Sequence, residues 1–98
     1  MQKKIKWGIL GCGRIAHNFA EDLCLSNTSI LYACASRNEE KAKDFAMTYH
    51  AINWFNDYES LANCAEIDAI YVATPHSHHY EHTMLCLQTK KAVLCEKP

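Results

Sequence analysis

Gly11-Cys12-Gly13-Arg14-Ile15-Ala16 stands between an apolar stretch, Ile5-Lys6-Trp7-Gly8-Ile9-Leu10, and a helix-like one over residues 14–25. A glycine-rich turn in that position is the context a dinucleotide fingerprint needs. Gly11 lets the chain turn sharply off a strand, Gly13 lets backbone N–H groups come close to a pyrophosphate, and the small Ala16 lets helix and strand pack tightly. The phosphates then lie at the positive end of the helix. A lone match of this kind also fits an ordinary strand-turn-helix, so the rest of the chain has to decide.

Outward from that turn, strand-like and helix-like segments alternate. Residues 30–35, Ile-Leu-Tyr-Ala-Cys-Ala, form an unbroken apolar run of the kind a strand buried on both faces requires. Over residues 38–49, Ala42, Phe45, Ala46 and Tyr49 recur at helical spacing opposite Glu39, Glu40, Lys43 and Asp44. A short strand is expected at 52–55, and Asn56 with Glu59 reads as a capping box opening a brief helix through Leu61. Residues 67–73 read as a strand stopped by Thr74-Pro75, residues 77–88 as a helix and residues 92–95 as a last strand. This alternation implies right-handed crossovers and a parallel sheet. The expected fold is α/β, a Rossmann-like doubly wound parallel sheet of strand order 3-2-1-4-5. Its ligand crevice lies outside the carboxyl ends of the first and fourth strands.

Composition narrows the function. The chain has 98 residues, 49% hydrophobic and 21% charged, enough for one domain with a modest core. A formal charge of −1 leaves no basic excess for a nucleic-acid backbone. The apolar stretch after Lys3, Lys4 and Lys6 is short and broken by Gly8, Gly11, Gly13 and Arg14, a poor signal peptide, and no segment is long enough to span a bilayer. The six cysteines are scattered without a CxxC pair and read as small buried hydrophobes of a reducing cytoplasm; a secreted disulfide framework gives the same even count.

The end of the second strand speaks to the choice of dinucleotide. A protein that holds NAD usually places an acid there for the ribose 2′-hydroxyl. Here the residues are Ala35-Ser36-Arg37-Asn38, with Lys41 one turn further on. A hydroxyl and a guanidinium favour NADP over NAD, because Arg can clamp a 2′-phosphate bidentately. The plainer reading makes Ser36 a helix cap and Arg37 a solvated charge.

Four blocks then resemble the N-terminal domain of the Gfo/Idh/MocA oxidoreductase family: residues 8–16, Ala35-Ser36-Arg37-Asn38 with Lys41-Ala42, residues 72–79 and Glu96-Lys97-Pro98. The resemblance implies that Gly11, Cys12, Gly13, Arg14 and Ile15 bind the phosphates and that Ser36, Arg37 and Lys41 contact the 2′-phosphate. By the same resemblance Thr74 and Pro75 pass along the cofactor, and Glu96 and Lys97 stand beside the nicotinamide ribose. Lys97 is then the catalytic residue that moves the substrate's hydroxyl proton. His79 fits the family pattern, whereas His76 stands where relatives often have Asn. The implied activity is NADP-dependent hydride transfer on a sugar, cyclitol or diol. By the same resemblance, residues 1–98 are expected to be the NAD(P)-binding domain of a longer two-domain enzyme, cytoplasmic and homo-oligomeric, whose substrate pocket lies in a second domain. This chain alone is expected to turn nothing over.

The chemistry also stands without the family, since a protein serving a nicotinamide must orient it and handle one proton at the substrate oxygen. A lysine suits that proton when its pKa is lowered toward the operating range. Three rival readings remain. His76, His78, His79 and His82 invite a metal, because His78 and His82 are four apart, but no Asp or Cys stands at a supporting spacing. His17 and His50 read as partly exposed helix residues. A non-catalytic NAD(P)-binding sensor shares the same turn, and so does a methyltransferase, although the latter normally needs an acid where Ser36-Arg37 stand.

Overall fold

The alternation closes into one sheet. The computed structural model describes residues 4–74, 79–89 and 91–95. In chain order the elements are β1 (Ile5–Leu10), α1 (Arg14–Leu25), β2 (Ser29–Ala35), α2 (Glu39–Tyr49), β3 (Asn53–Phe55), α3 (Tyr58–Ala62), β4 (Ala69–Val72), α4 (His79–Leu87) and β5 (Ala92–Cys95). The five strands lie in the order β3-β2-β1-β4-β5, and all their pairings are parallel. This is the doubly wound arrangement the sequence leads one to expect.

Each central strand is buried on both sides, and its alternating residues feed two different cores. Ile9, Cys34 and Tyr71 point to the side covered by Ala16, Ala20 and Leu23 of α1 and by Phe45 and Ala46 of α2. Leu10, Ala33, Ala35, Ile70 and Val72 point to the opposite side, covered by Leu61 and Ala62 of α3 and by Cys86 of α4. Ala16 is fully buried, which is the close helix–strand approach expected of a small residue there. On the first side Phe19 stacks on Tyr71 with ring centroids 4.0 Å apart. The β1–β2 register slips between Trp7 and Gly8, so that Trp7 pairs with Leu31 and Gly8 with Ala33.

Several local expectations need correction. The helix after β3 is capped by Asp57, not Asn56: Asp57 Oδ1 accepts from the Ser60 backbone N–H at 2.7 Å, and Ser60 Oγ donates to Oδ2 at 2.9 Å. The reciprocal Asn56–Glu59 box is therefore not formed, because the helix starts one residue later. Nor does Ser36 cap α2. Asn38 does, accepting from the Lys41 N–H at 3.1 Å. His50 is not a helix residue but the C-cap of α2, in the left-handed region at φ 60°, with its N–H returned to the Ala46 carbonyl. His17 does lie in α1, half-buried, 2.6 Å from the Tyr49 hydroxyl.

The cysteines are less uniform than expected. Cys34 and Cys86 are buried, Cys12 and Cys64 half-buried and Cys24 exposed, all five as free thiols.

Candidate functional site

The carboxyl edge of the sheet gathers the turns after β1, β2 and β4. Gly11 N–H donates to the Ala35 carbonyl at 2.8 Å, and Ala73 N–H donates to the Leu10 carbonyl at 2.8 Å. The end of β1 is thus tied on one side to β2 and on the other to the chain leaving β4. This is where the strand order reverses, the position at which open α/β sheets form their ligand crevice.

The two glycines of the first turn have separable duties. Gly11 has φ +95°, and a Cβ there would meet Thr74 Cγ2 at 3.1 Å and the Ala73 carbonyl carbon at 3.2 Å. Both the backbone angle and the crowding demand glycine. Gly13 has ordinary extended angles, φ −88° and ψ −165°, and a Cβ there would meet nothing within 4 Å. The space above Gly13 is open, and a side chain would begin to fill it.

Gly13 is also the N-cap of α1, and no side-chain hydrogen bond caps the helix among the described residues. The first internal bond runs from His17 N–H to the Gly13 carbonyl. The N–H groups of Arg14, Ile15 and Ala16 precede that bond and have no intrahelical acceptor. Unspent amides, the positive end of a helix of 12 residues and open space over Gly13 fit a pyrophosphate. Arg14, Arg37 and Lys41 are exposed in the turns at this edge, with Glu39 and Glu40 of the first turn of α2 beside the latter two.

Cys12 sits inside this turn, its Sγ 3.5 Å from the Ala35 carbonyl. A hydrogen bond from Cys34 holds the Cys12 thiol below the ordinary thiol range, and the charge of Lys41 helps, against the opposing effect of burial. Cys34 is pushed up by the same contact and by burial.

The second turn is built otherwise. Ser36 is buried, and its Oγ accepts from the Asn38 N–H at 3.2 Å, leaving the hydroxyl proton to donate elsewhere. No carboxylate stands between Ala35 and Glu39. The Arg37 guanidinium carbon lies 5.4 Å from the centroid of the Tyr58 ring. Burial pushes the Tyr58 phenol up, while the Arg37 charge and a hydrogen bond from the Arg37 backbone pull it down. Arg37, Asp57, Tyr58, Glu59, His82 and Leu85 line a depression of about 410 Å³. Both Asp57 oxygens are engaged by Ser60, which holds that carboxyl below the usual carboxylate range.

At the third turn Thr74 is buried, with Oγ1 2.7 Å from Nδ1 of His82. His82, read from sequence only within a histidine cluster, thus faces the turn rather than solvent. Its ring also meets Tyr58 edge-on, with centroids 4.7 Å apart at 72°. Neither His82 nor Tyr58 stands out in the sequence as a site residue. The pairing joins the turn after β4 to α4 across eight positions, and no local spacing encodes it.

Thus the fold brings together Gly11, Cys12, Gly13, Arg14, Ile15, Ser36, Arg37, Lys41 and Thr74 along one edge. Pro75, His76, Glu96 and Lys97 lie outside the described residues, as does the side chain of His79, whose backbone opens α4. Among the described residues no group of three or more His, Cys, Asp or Glu could hold a metal ion, and no helix is long and apolar enough to cross a membrane.

Residues 5–98 match the family described as an oxidoreductase family with an NAD-binding Rossmann fold. Over 97 residues the chain is 41% identical to a trans-1,2-dihydrobenzene-1,2-diol dehydrogenase of Xenopus laevis, covering 95% of this chain and 29% of that protein. It is 34% identical over 105 residues to a D-xylose 1-dehydrogenase (NADP(+)) of Hypocrea jecorina, covering 95% of this chain and 27% of the relative. Among solved structures, scyllo-inositol dehydrogenase of Lactobacillus casei, with bound NAD(H) and scyllo-inositol, superposes with a TM-score of 0.89. That superposition is at 27% identity and covers 98% of this chain and 28% of the other. The chain spans about three tenths of the length of the curated relatives it matches. With its 3-2-1-4-5 parallel sheet and the glycine turn at the switch point, the chain belongs to the Gfo/Idh/MocA oxidoreductase family, as its NAD-binding Rossmann domain.

Proposed function

We propose that this chain is the cofactor-binding part of a dehydrogenase. It binds a nicotinamide dinucleotide, NADP(H) in preference to NAD(H), and serves hydride transfer to or from a carbon bearing a hydroxyl or carbonyl in a diol, sugar or cyclitol. The observation that carries the reading is the open space over Gly13, set above the uncapped N-terminus of α1, with Arg37 and Lys41 exposed along the same edge. Backbone amides there hold the pyrophosphate, and the basic side chains of the β2–α2 turn take the 2′-phosphate. The absence of a carboxylate between Ala35 and Glu39 supports NADP, since the usual partner of an unphosphorylated ribose is missing.

The nicotinamide, when bound, accepts or supplies a hydride. The chain's own residues must orient it and carry the accompanying proton. Thr74 follows β4 at the crevice, and its hydrogen bond to His82 fixes how it meets the cofactor. Lys97 is the proton carrier in this reading: it follows β5 by two positions in the sequence. The Lys97 ammonium protonates a substrate alkoxide in one direction and, once neutral, takes the proton from a hydroxyl in the other. Substrate recognition and any oligomer interface belong to the part of the protein that relatives of greater length contain.

Calorimetric titration with NADPH and NADH tests the cofactor reading. NADPH should bind much more tightly, and Arg37→Ala should weaken NADPH about tenfold while sparing NADH. Equal loss for both removes Arg37 from phosphate recognition. In protein containing the substrate-binding part, Lys97→Ala should leave cofactor affinity nearly intact while turnover falls by about two to four orders of magnitude. Unchanged turnover removes Lys97 from the mechanism.

A further inference from the structure

Arg37 is exposed, and a free arginine side chain gives up rotamer entropy when it is fixed on a ligand. A phosphate reader gains when something holds it in advance. The depression beside Arg37 also contains two acids, Asp57 and Glu59, which would compete for a loose guanidinium. Tyr58 stands between these acids in the sequence and offers the guanidinium a different partner. Its ring lies 5.4 Å from the Arg37 guanidinium carbon, and its phenol takes the hydrogen bond from the Arg37 backbone. The ring is itself braced: its other neighbour is the buried imidazole of His82, which is bonded to the buried Thr74 hydroxyl. A continuous run of contacts, Arg37–Tyr58–His82–Thr74, therefore joins the turn after β2 to the turn after β4.

Resting on the NADP reading above, we propose that Tyr58 is a positioning residue for cofactor discrimination: its ring holds the Arg37 guanidinium at the edge of the crevice, where a 2′-phosphate is received. Tyr58 touches no reacting atom, and its contribution falls on the phosphate-dependent part of binding. A cation–π contact at an exposed site corresponds to about a threefold to fivefold change in affinity.

The test is a set of NADPH and NADH titrations of wild-type protein, Arg37→Ala, Tyr58→Leu, Tyr58→Phe and the Arg37→Ala/Tyr58→Leu pair. Tyr58→Leu should weaken NADPH about threefold to fivefold and leave NADH within about twofold. Tyr58→Phe, which keeps the ring, should retain most of the preference. In the double variant the Tyr58 change should have no further effect on the NADPH/NADH ratio, because the residue it positions is gone. Should circular dichroism find Tyr58→Leu unfolded, Tyr58→Met removes the ring with similar apolar bulk and decides the same question. Equal weakening of both dinucleotides by Tyr58→Leu would mean a merely structural role and overturn the proposal. So would an unchanged ratio, or a Tyr58→Phe variant that loses the whole preference. If Arg37→Ala itself leaves the ratio unchanged, the phosphate reading falls first and the inference goes with it, an outcome visible without any Tyr58 variant.

Discussion

The turns after β1 and β2 lie side by side at the same edge of the sheet, yet they satisfy their backbones in opposite ways. After β1, glycine caps α1 and contributes no side-chain acceptor, so the first amides of the helix stay unspent. After β2, Asn38 caps α2 and Ser36 closes the turn, so two backbone N–H groups are already used. The first turn therefore offers its backbone to a ligand, whereas the second offers only side chains, Arg37 and Lys41. A backbone site serves any dinucleotide, because every one has a pyrophosphate. On the proposed reading, discrimination between dinucleotides falls to the turn that has capped itself.

That contrast can be broken most sharply at Gly13. Gly13→Val starts from a Cβ that meets no protein atom within 4 Å and puts methyl groups into the open space, so NADPH and NADH should both weaken by about 100-fold, roughly the equivalent of two charge-assisted hydrogen bonds. Its melting temperature should fall by about 4–8 °C, since Val is a much poorer N-cap than Gly, at about 1 kcal/mol, while the fold is kept. Tight binding by this variant would show that the phosphates do not lie there. Gly11→Ala should behave differently, losing about 1–3 kcal/mol of stability in a denaturant titration through its positive φ and its crowding against Ala73 and Thr74.

On the self-capped side, Asn38→Ala should cost about 1 kcal/mol of stability by removing the bond to the Lys41 N–H. The NADPH/NADH ratio should stay near wild type, because the cap is not the reader. A large change in that ratio would mean that the two roles are not separable. The smallest effect concerns Cys12. Because Cys34 lowers the Cys12 thiol, Cys12 should be alkylated at lower pH than an ordinary thiol, and Cys34→Ala should move its alkylation profile to higher pH. Mass spectrometry of the modified peptide across pH reads this directly, and a profile unmoved by Cys34→Ala removes that hydrogen bond as the cause.

Much of the architecture was legible along the chain. The bounds of β1, α1 and β5 agree with what periodicity and the glycine turn predict, because those segments combine an apolar run with an unambiguous stop. β4 is shorter than residues 67–73 suggest: regular pairing begins at Ala69, because at Asp68 it is the side chain that accepts the Lys6 N–H, at 2.9 Å, although the Asp68 N–H still donates to the Lys6 carbonyl at 2.8 Å. The cap of α3 is Asp57, one residue beyond the Asn56 that the sequence suggests, because both are good caps and local chemistry does not choose between them. The same holds for His50, which looks like one more helical residue until the chain must turn toward β3.

The sequence by itself determined the alternation of strand and helix, the glycine turn between β1 and α1, and the absence of a carboxylate after β2. These are properties of neighbouring residues, written in spacing and side-chain type. Only the tertiary structure decided that Cys12 meets Cys34, that His82 meets Thr74 and that Arg37 rests on Tyr58. Those contacts join different elements, and strand order and crossover hand bring them together. A period of 2 or 3.6 residues says which face of an element is apolar, but not which element will cover it.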